Sequence, residues 1–332
     1  MKSPNLIVFD MDGVIIDVSM SYRDTVRQTA RLFFRKAPSW QTLPNPLFPL
    51  SDLGRVKQTG GLNNDWDLSF LVISLLFSLV KISQAHKDND IWSRYEKTIC
   101  QCDVTELARF LNSEARPLST LLEKKGKLRD EFIASLYAGD VGSGNIIKQI
   151  FQEIYLGEDL FQSTYGVQVR VYHGEGYINR ELPLIDRSIL ETLSKNNFLA
   201  IATGRPKLEA EYPLERFGLR KYFGIILTLD DCIREEKRLL AQEGRKVSLC
   251  KPNPYMLDAI AAALGHESST LYYIGDMPDD MEAAARSKAG FVAVGSLFSA
   301  PEKDTLRKEL LRAGANYVIE DFKQVETILQ SQ

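Results

Sequence analysis

Short apolar runs alternate with helix-like segments through the second half of the chain. Five such runs lie at residues 198–202, 225–229, 271–274, 291–294 and 317–319, and the segments between them have helical spacing. One more apolar run, Leu6 to Phe9, lies near the start of the sequence. Strands that alternate with helices predict a parallel sheet with helices on both faces. We therefore expect an α/β fold built on a doubly wound parallel sheet.

The middle of the chain has a different pattern. Residues 18–35 have apolar side chains at helical spacing, residues 36–50 contain four prolines, and residues 51–182 are mostly helix-like. The most apolar stretch, Leu68 to Val80, is about 13 residues long, which is too short to cross a bilayer and predicts a buried helix. The predicted organisation is a core made of residues 1–17 and 183–332, with a helical insert at residues 18–182.

Carboxylates and a hydroxyl follow the ends of three predicted strands. Asp10 and Asp12 come directly after the first apolar run, Thr203 follows the run at 198–202, and Asp276 and Asp280 follow the run at 271–274. Carboxylates at the end of a buried strand are costly unless a metal or a reaction uses them. Open α/β sheets bind their ligands at the carboxyl ends of the strands. The pattern favours an active site at this edge.

Four short motifs occur in order: an acid pair in FDMDGV around Asp10, a hydroxyl in ATGRP around Thr203, a lysine in KPNP from Lys251 and an acid cluster in GDMPDD around Asp276. This order resembles the haloacid dehalogenase superfamily of phosphohydrolases over roughly residues 4–17 and 183–330, and the long insert is similar to subfamily I members with a large helical cap. The resemblance implies a Rossmann-like core with an inserted cap domain, and Mg²⁺-dependent hydrolysis of a phosphate monoester.

The resemblance makes Asp10 the nucleophile. A carboxylate can attack phosphorus and form an aspartyl-phosphate, which divides a hard hydrolysis into two easier steps. Asp12 would be the general acid/base that protonates the leaving alcohol and then activates water. In the family, dehalogenases lack this second aspartate, so its presence favours phosphoryl transfer over carbon–halogen cleavage. Taken alone, Asp10 would be better explained as a capping acid between a strand and a helix, and the other three motifs reverse that preference.

The metal predicted for this site is Mg²⁺, which prefers hard oxygen ligands and keeps several waters. Asp10 and Asp276 would hold it together with the backbone carbonyl of Asp12, and it would offset the repulsion between the carboxylates and the phosphate. Asp280 matches the second acid of the last motif and would support the metal site. Asp279 competes for that role, with the alternative that it is an exposed acid in the first turn of a helix.

Thr203 and Lys251 complete the predicted catalytic set. The Thr203 hydroxyl and the backbone N–H of Gly204 would bind a phosphoryl oxygen, although a threonine here could also cap the helix. Lys251 would pair with Asp10 and the phosphate and so spread the developing charge. Arg205 is predicted to bind substrate, with the alternative that it links the core to the cap.

The insert is predicted to select the substrate. Residues 55–67 are rich in glycine and polar residues and precede an apolar helix. We expect a loop here, with Lys57, Asn64 and Trp66 binding the substrate. A solvated turn between two helices is the alternative.

The net charge and the cysteine content of the chain limit the kinds of molecule that we expect it to bind and the compartment in which we expect it. Lys and Arg number 41 and Asp and Glu 44, for a net charge of −3, which indicates neither a nucleic-acid-binding nor a membrane surface. The start of the chain has no signal-peptide pattern, and its four scattered cysteines do not suggest a disulfide framework, so we expect a cytoplasmic protein. The expected partner is a small phosphorylated metabolite, and a homodimer is compatible with the sequence.

Three other functions fit parts of the pattern. A phosphomutase of the same superfamily would keep Asp10 and Asp12 but retain a sugar phosphate through both half-reactions. A hydrolase of C–P bonds would need a Schiff-base lysine from the cap, for which Lys57 is the candidate. A regulator that binds a metabolite without catalysis is the third, and the presence of all four motifs weighs against it.

Overall fold

The computed structural model describes residues 4–60, 64–82, 85–126, 130–265, 270–300 and 302–330. The chain divides into two compact units. Met1–Val18 and Glu181–Gln332 form the first, which we call the sheet unit, and Ser19–Arg180 form the second, which we call the helical unit. None of the described helices is long and apolar enough to cross a membrane.

The described strands all belong to the sheet unit, and the helices are divided between the two units. The strands are β1 (Asn5–Phe9), β2 (Ile16–Asp17), β3 (Leu182–Pro183), β4 (Asn197–Ala202), β5 (Ile225–Leu227), β6 (Leu271–Gly275), β7 (Val292–Ser296) and β8 (Tyr317–Ile319). The helices of the helical unit are α1 (Tyr22–Phe33), α2 (Leu50–Gly60), α3 (Asp65–Phe77), α4 (Ile91–Ile99), α5 (Thr105–Ser113), α6 (Pro117–Lys125), α7 (Glu131–Ser135), α8 (Ile146–Leu156) and α9 (Glu158–Tyr165). Those of the sheet unit are α10 (Arg187–Ser194), α11 (Lys207–Arg216), α12 (Leu229–Glu243), α13 (Tyr255–Leu264), α14 (Pro278–Arg286), α15 (Lys303–Arg312) and α16 (Lys323–Gln330). Short 3₁₀ helices lie at Trp40–Thr42, Tyr177–Arg180 and Arg220–Tyr222.

The described strands of the main sheet are parallel, six in number, and lie in the order β5-β4-β1-β6-β7-β8. Strand β1 is central and pairs with β4 on one side and β6 on the other. Its side chains alternate between two cores, since Ile7 and Phe9 pack on one face of the sheet and Leu6 and Val8 on the other. Burial on both faces explains why the strand is an unbroken apolar run. The prediction of a doubly wound parallel sheet is confirmed.

A second, two-stranded sheet joins the two chain segments of the sheet unit. Strands β2 and β3 pair antiparallel, with Ile16 opposite Pro183 and Asp17 opposite Leu182. The backbone N–H of Leu184 also donates to the carbonyl of Ile15 at 2.8 Å. This pairing holds the segment after the insert beside the segment before it. The sequence did not indicate these strands, because two residues are too few to show a period.

Helix α3 is the predicted buried helix of the insert. Asn64 caps it by accepting a hydrogen bond from the Asp67 N–H at 2.7 Å, and Asp65 and Asp67 lie in its first turn, where carboxylates are favourable. Residues 71–77 are all buried, so the helix has no polar face. A helix that is apolar all round belongs in the centre of a helical core.

The predicted loop over residues 55–67 is partly wrong. Helix α2 continues to Gly60 and α3 begins at Asp65, while residues 61–63 lie outside the described part of the chain. Leu53 and Val56 are fully buried at helical spacing, and this packing overrides the weak helix propensity of the glycines. The buried carboxylate of Asp52 also anchors α2, because it accepts hydrogen bonds from two backbone N–H groups at the start of α6.

Candidate active site

Three carboxylates meet at the carboxyl edge of the main sheet. Asp10 follows β1, Asp276 follows β6, and Asp280 lies in the first turn of α14. Each offers an oxygen within 4.8 Å of an oxygen of the other two. Asp280, rather than its neighbour Asp279, is the member of this acid cluster from α14, and it is buried.

Lys251 lies between two members of the acid cluster. Its ammonium is 2.8 Å from Oδ1 of Asp10 and 2.7 Å from Oδ1 of Asp280. The Tyr273 hydroxyl, in the middle of β6, donates to the same Asp280 oxygen at 2.8 Å. The sequence analysis did not identify Tyr273 as a site residue. The one indication was its position inside a predicted buried strand, because a buried tyrosine hydroxyl needs a hydrogen-bond partner.

Burial and neighbouring charges shift the pKa values of the acid cluster and of Lys251. Burial raises the pKa of Asp10, Lys251 opposes this effect, and the Asp280 and Asp12 carboxylates add to it, so that the pKa of Asp10 is about 7. Burial and the neighbouring Asp10 and Asp280 hold the pKa of Asp276 well above its usual value. Burial disfavours the charged form of Lys251, but the Asp10 and Asp280 carboxylates outweigh it, so its pKa lies well above the usual range.

Gly13 shapes the acid cluster through its missing side chain. Its φ is +70°, a conformation that glycine adopts without strain. A Cβ at this position would lie 2.1 Å from Oδ2 of Asp276 and 2.8 Å from Oγ of Ser299. Only glycine therefore lets the turn after Asp12 pack directly against the Asp276 carboxylate.

Thr203 and Gly204 follow β4 at the same edge of the sheet. The Thr203 side chain is buried, and its oxygen accepts a hydrogen bond from the backbone N–H of Arg205 at 3.2 Å. The hydroxyl keeps its hydrogen to donate to a ligand. Gly204 is exposed, and a Cβ there would meet nothing within 4 Å, so its backbone is open to the approach of an anion.

Arg205 has an environment that the sequence did not indicate. Its side chain is 1% exposed, and its guanidinium lies between the carboxylates of Asp12 and Glu181. Nε donates to Oδ1 of Asp12 at 2.6 Å, and Nη1 donates to Oε2 of Glu181 at 3.0 Å. A role for Arg205 in substrate binding stays a prediction; in this structure its guanidinium is engaged by Asp12 and Glu181.

The predicted substrate-binding residues of the insert lie around the start of α3 in the helical unit, and each makes a contact within that unit. The Lys57 ammonium pairs with Asp65 at 3.0 Å. Asn64 is the N-cap of α3. The Trp66 ring lies under the ammonium of Lys148, 4.1 Å from the ring centre. These contacts explain the residues structurally, and their role in substrate binding stays a prediction.

The acid cluster fits a magnesium ion. Three carboxylates supply the hard oxygen ligands that Mg²⁺ prefers, and two or three protein ligands suffice because the ion keeps several waters. Burial and, after it, the neighbouring carboxylates raise the pKa values of Asp10 and Asp276, and a divalent cation would favour the ionised forms of both. Asp10, Asp276 and the backbone carbonyl of Asp12 are the expected ligands, with Asp280 beside them.

The chain is similar in sequence to several known proteins. A family model described as haloacid dehalogenase-like hydrolase matches residues 4–288. Two curated relatives are an imidazoleglycerol-phosphate dehydratase from Phytophthora nicotianae, 23% identical over 305 residues, and a phosphoglycolate phosphatase from Haemophilus influenzae (strain 86-028NP), 26% identical over 161 residues. The matches cover 90% and 48% of this chain but 44% and 62% of the relatives, so the chain spans about half the length of the curated relatives it matches.

Two solved structures share the fold. An X-ray structure of a structural genomics target superposes with a TM-score of 0.65 at 22% identity, over 99% of this chain and 98% of the other. Phosphatase Tt82 from Thermococcus thioreducens superposes with a TM-score of 0.51 at 21% identity, over 92% of this chain and 99% of the other. At such identities the similarity establishes the fold alone.

Proposed function

Since the chain belongs to the haloacid dehalogenase-like hydrolase family, we propose that it hydrolyses a phosphate monoester through a covalent phosphate on Asp10. The family membership confirms the resemblance carried by the four motifs. The observation that carries the proposal is the position of Asp10, a buried carboxylate 2.8 Å from the Lys251 ammonium and beside two further acids. A structural capping acid would need neither a paired lysine nor an acid cluster.

In the first half-reaction, an oxygen of Asp10 attacks the phosphorus of the bound ester. The bond between phosphorus and the ester oxygen breaks, and Asp12 donates a proton to the departing alcohol. The Thr203 hydroxyl and the Gly204 N–H hold a phosphoryl oxygen, and Lys251 offsets part of the charge on Asp10 and the phosphoryl group. The products are the free alcohol and phosphorylated Asp10.

In the second half-reaction, water attacks the phosphorus of phosphorylated Asp10. Asp12, now ionised, accepts a proton from that water, and the bond between phosphorus and the Asp10 oxygen breaks. Inorganic phosphate leaves, and both aspartates return to their starting states. A bound Mg²⁺ ion would supply positive charge against the phosphate and the carboxylates. Asp280 holds Lys251 at 2.7 Å and so keeps the ammonium beside the nucleophile.

The proposed substrate is a small phosphorylated metabolite, and the proposal assigns its selection to the helical unit as a cap. The support is the position of that unit in the chain, inserted directly after the first catalytic strand and its turn. Lys57, Asn64 and Trp66 are the residues proposed to bind it. The cytoplasmic location and the homodimer stay predictions from the sequence.

The test is phosphate release from p-nitrophenyl phosphate and from a panel of phosphorylated metabolites, with and without Mg²⁺. The Asp10→Asn variant keeps the shape of the side chain and loses the nucleophile, so turnover should fall by about a thousandfold or more. A variant that keeps more than about a tenth of the wild-type rate would contradict covalent catalysis by Asp10. Conversion of one sugar phosphate into another, without release of phosphate, would indicate a phosphomutase instead.

A further inference from the structure

Arg205 is a fully buried cation at the carboxyl edge of the main sheet, and its guanidinium contacts two acids, Asp12 and Glu181. Nε and Nη2 both lie 2.6 Å from the same oxygen, Oδ1 of Asp12. Nη1 lies 3.0 Å from Oε2 of Glu181 and donates to the backbone carbonyl of Glu209 at 2.9 Å. The guanidinium is therefore held from several directions, and it in turn holds one chosen oxygen of Asp12.

The proposed phosphatase mechanism gives Glu181 no step of its own, yet Glu181 is one of the two acids that hold Arg205. Its side chain is fully buried, and a buried carboxylate is costly unless a cation accompanies it. It is also the first residue of the sheet unit after the helical unit, immediately before the β3 strand. The pairing of β3 with β2 fixes this segment, so Glu181 provides a rigid support for Arg205.

We propose that Arg205 and Glu181 are positioning residues that hold the carboxylate of Asp12 in one orientation during catalysis. The proposal rests on the proposed function, since Asp12 has this task only if it transfers protons in a phosphatase. Both close contacts end on Oδ1, so Oδ2 is the oxygen that carries the proton to the leaving alcohol and later accepts it from water. The Asp12 side chain is 36% exposed, so a substrate can reach it.

The same contacts weigh against the alternative that Arg205 grips the substrate phosphate. A guanidinium that is 1% exposed and engaged by Asp12 and Glu181 would have to break those contacts to reach a ligand. Breaking a buried charge pair is strongly unfavourable because it leaves a carboxylate uncompensated. Arg205 thus acts through Asp12.

The test is Arg205→Lys, which keeps the charge but cannot hold one oxygen with two nitrogens. A single-turnover experiment measures the first half-reaction on glycerol 2-phosphate, whose alkoxide needs a proton, and on p-nitrophenyl phosphate, whose leaving group departs without one. The variant should slow the first reaction by about 10- to 100-fold and the second by less than about 3-fold. The matched control is Arg220→Lys, which alters an Arg–Glu pair of the same unit at 2.8 Å and should leave both rates unchanged.

A double-mutant cycle with Asp12→Asn decides between the two roles. If Arg205 acts through Asp12, adding Arg205→Lys to Asp12→Asn should change no rate further. If Arg205 binds phosphate, the Arg205→Lys substitution should raise KM equally for both substrates and weaken inhibition by inorganic phosphate. These effects should appear both in the wild type and in the Asp12→Asn variant, and that result would overturn the proposal. Additive losses in the cycle also overturn it.

Glu181→Gln is the second variant, because it keeps the side-chain size and an acceptor oxygen while it removes the charge. It should reproduce the selective loss on glycerol 2-phosphate to a smaller degree, and equal losses on both substrates would count against positioning. Circular dichroism and unfolding curves establish that each variant is folded. If the wild-type protein releases no phosphate from either ester, the proposed function itself is wrong. If the wild type is active but Arg205→Lys slows both esters equally, the proposed function stands and only the positioning role of Arg205 is wrong.

Discussion

Replacing Gly13 by alanine tests whether the turn after Asp12 holds in place the Asp276 carboxylate, which we propose as a Mg²⁺ ligand. The new Cβ would lie 2.1 Å from Oδ2 of Asp276, and Cβ atoms essentially never come closer than 3.0 Å to such a neighbour, so the carboxylate must shift by about 0.9 Å. A displacement of about 1 Å in an active site can cost a factor of about 100 in rate. The φ of +70° adds a backbone cost of about 1–2 kcal/mol for a residue with a Cβ.

Gly290→Ala is the matched control. Gly290 has a φ of +78°, and a Cβ there meets nothing within 4 Å, so the substitution imposes the backbone cost without crowding. Phosphatase activity measured against Mg²⁺ concentration reports metal affinity and kcat, and urea unfolding in EDTA reports stability. Both variants should lose about 1–2 kcal/mol of stability, but only Gly13→Ala should lose Mg²⁺ affinity, by about tenfold or more. If Gly13→Ala kept the wild-type Mg²⁺ affinity and kcat, Asp276 would not be a metal ligand held by this turn.

Three further predictions concern the metal, the helical unit and its stability. Asp276→Asn should weaken Mg²⁺ binding sharply, whereas Asp279→Asn should change it by less than about twofold; full wild-type activity in excess EDTA would exclude a catalytic metal. Lys57→Ala and Trp66→Ala should raise KM for the preferred metabolite, while the rate of p-nitrophenyl phosphate hydrolysis should stay within about threefold of wild type. Equal losses of activity on every substrate would contradict a role for these residues in substrate selection. Glu153→Gln should destabilise the protein by about 1–3 kcal/mol, because this buried carboxylate accepts three backbone N–H bonds from residues 170–172; an unchanged unfolding midpoint would refute it.

The strands of the main sheet were predictable because a strand that is buried on both faces appears in the sequence as an unbroken run of apolar residues. Strand β4 spans Asn197–Ala202 and β8 spans Tyr317–Ile319, close to the apolar runs at 198–202 and 317–319. Strands β2 and β3 were not predictable, because each has only two residues and its pairing depends on a partner about 165 residues away. Helix α2 was missed beyond residue 54 because its glycines and polar residues hide a buried face formed by Leu53 and Val56.

The acid cluster and its lysine were predictable for a related reason. Asp10 and Asp276 follow neighbouring parallel strands, so the topology brings them together whatever the intervening sequence. Tyr273 and Glu181 were not predicted, because neither belongs to a motif and each is recognisable only by the partner it contacts. Arg205 was assigned to the substrate on chemistry alone, since the sequence does not show which acid lies beside a guanidinium.

Charge balance connects the acid cluster with the Arg205 arrangement. Asp10, Asp276 and Asp280 carry three formal negative charges when ionised, and Lys251 offsets one of them, which leaves two. One divalent cation would balance that remainder, and it would favour the ionised form of Asp10, whose pKa is raised by burial and by the Asp280 and Asp12 carboxylates. Arg205, in contrast, is already compensated by the buried Glu181. In the proposed mechanism, the pairing of Arg205 with Glu181 and Asp12 leaves the carboxylates of Asp10, Asp276 and Asp280 to Mg²⁺ and leaves Asp12 to proton transfer.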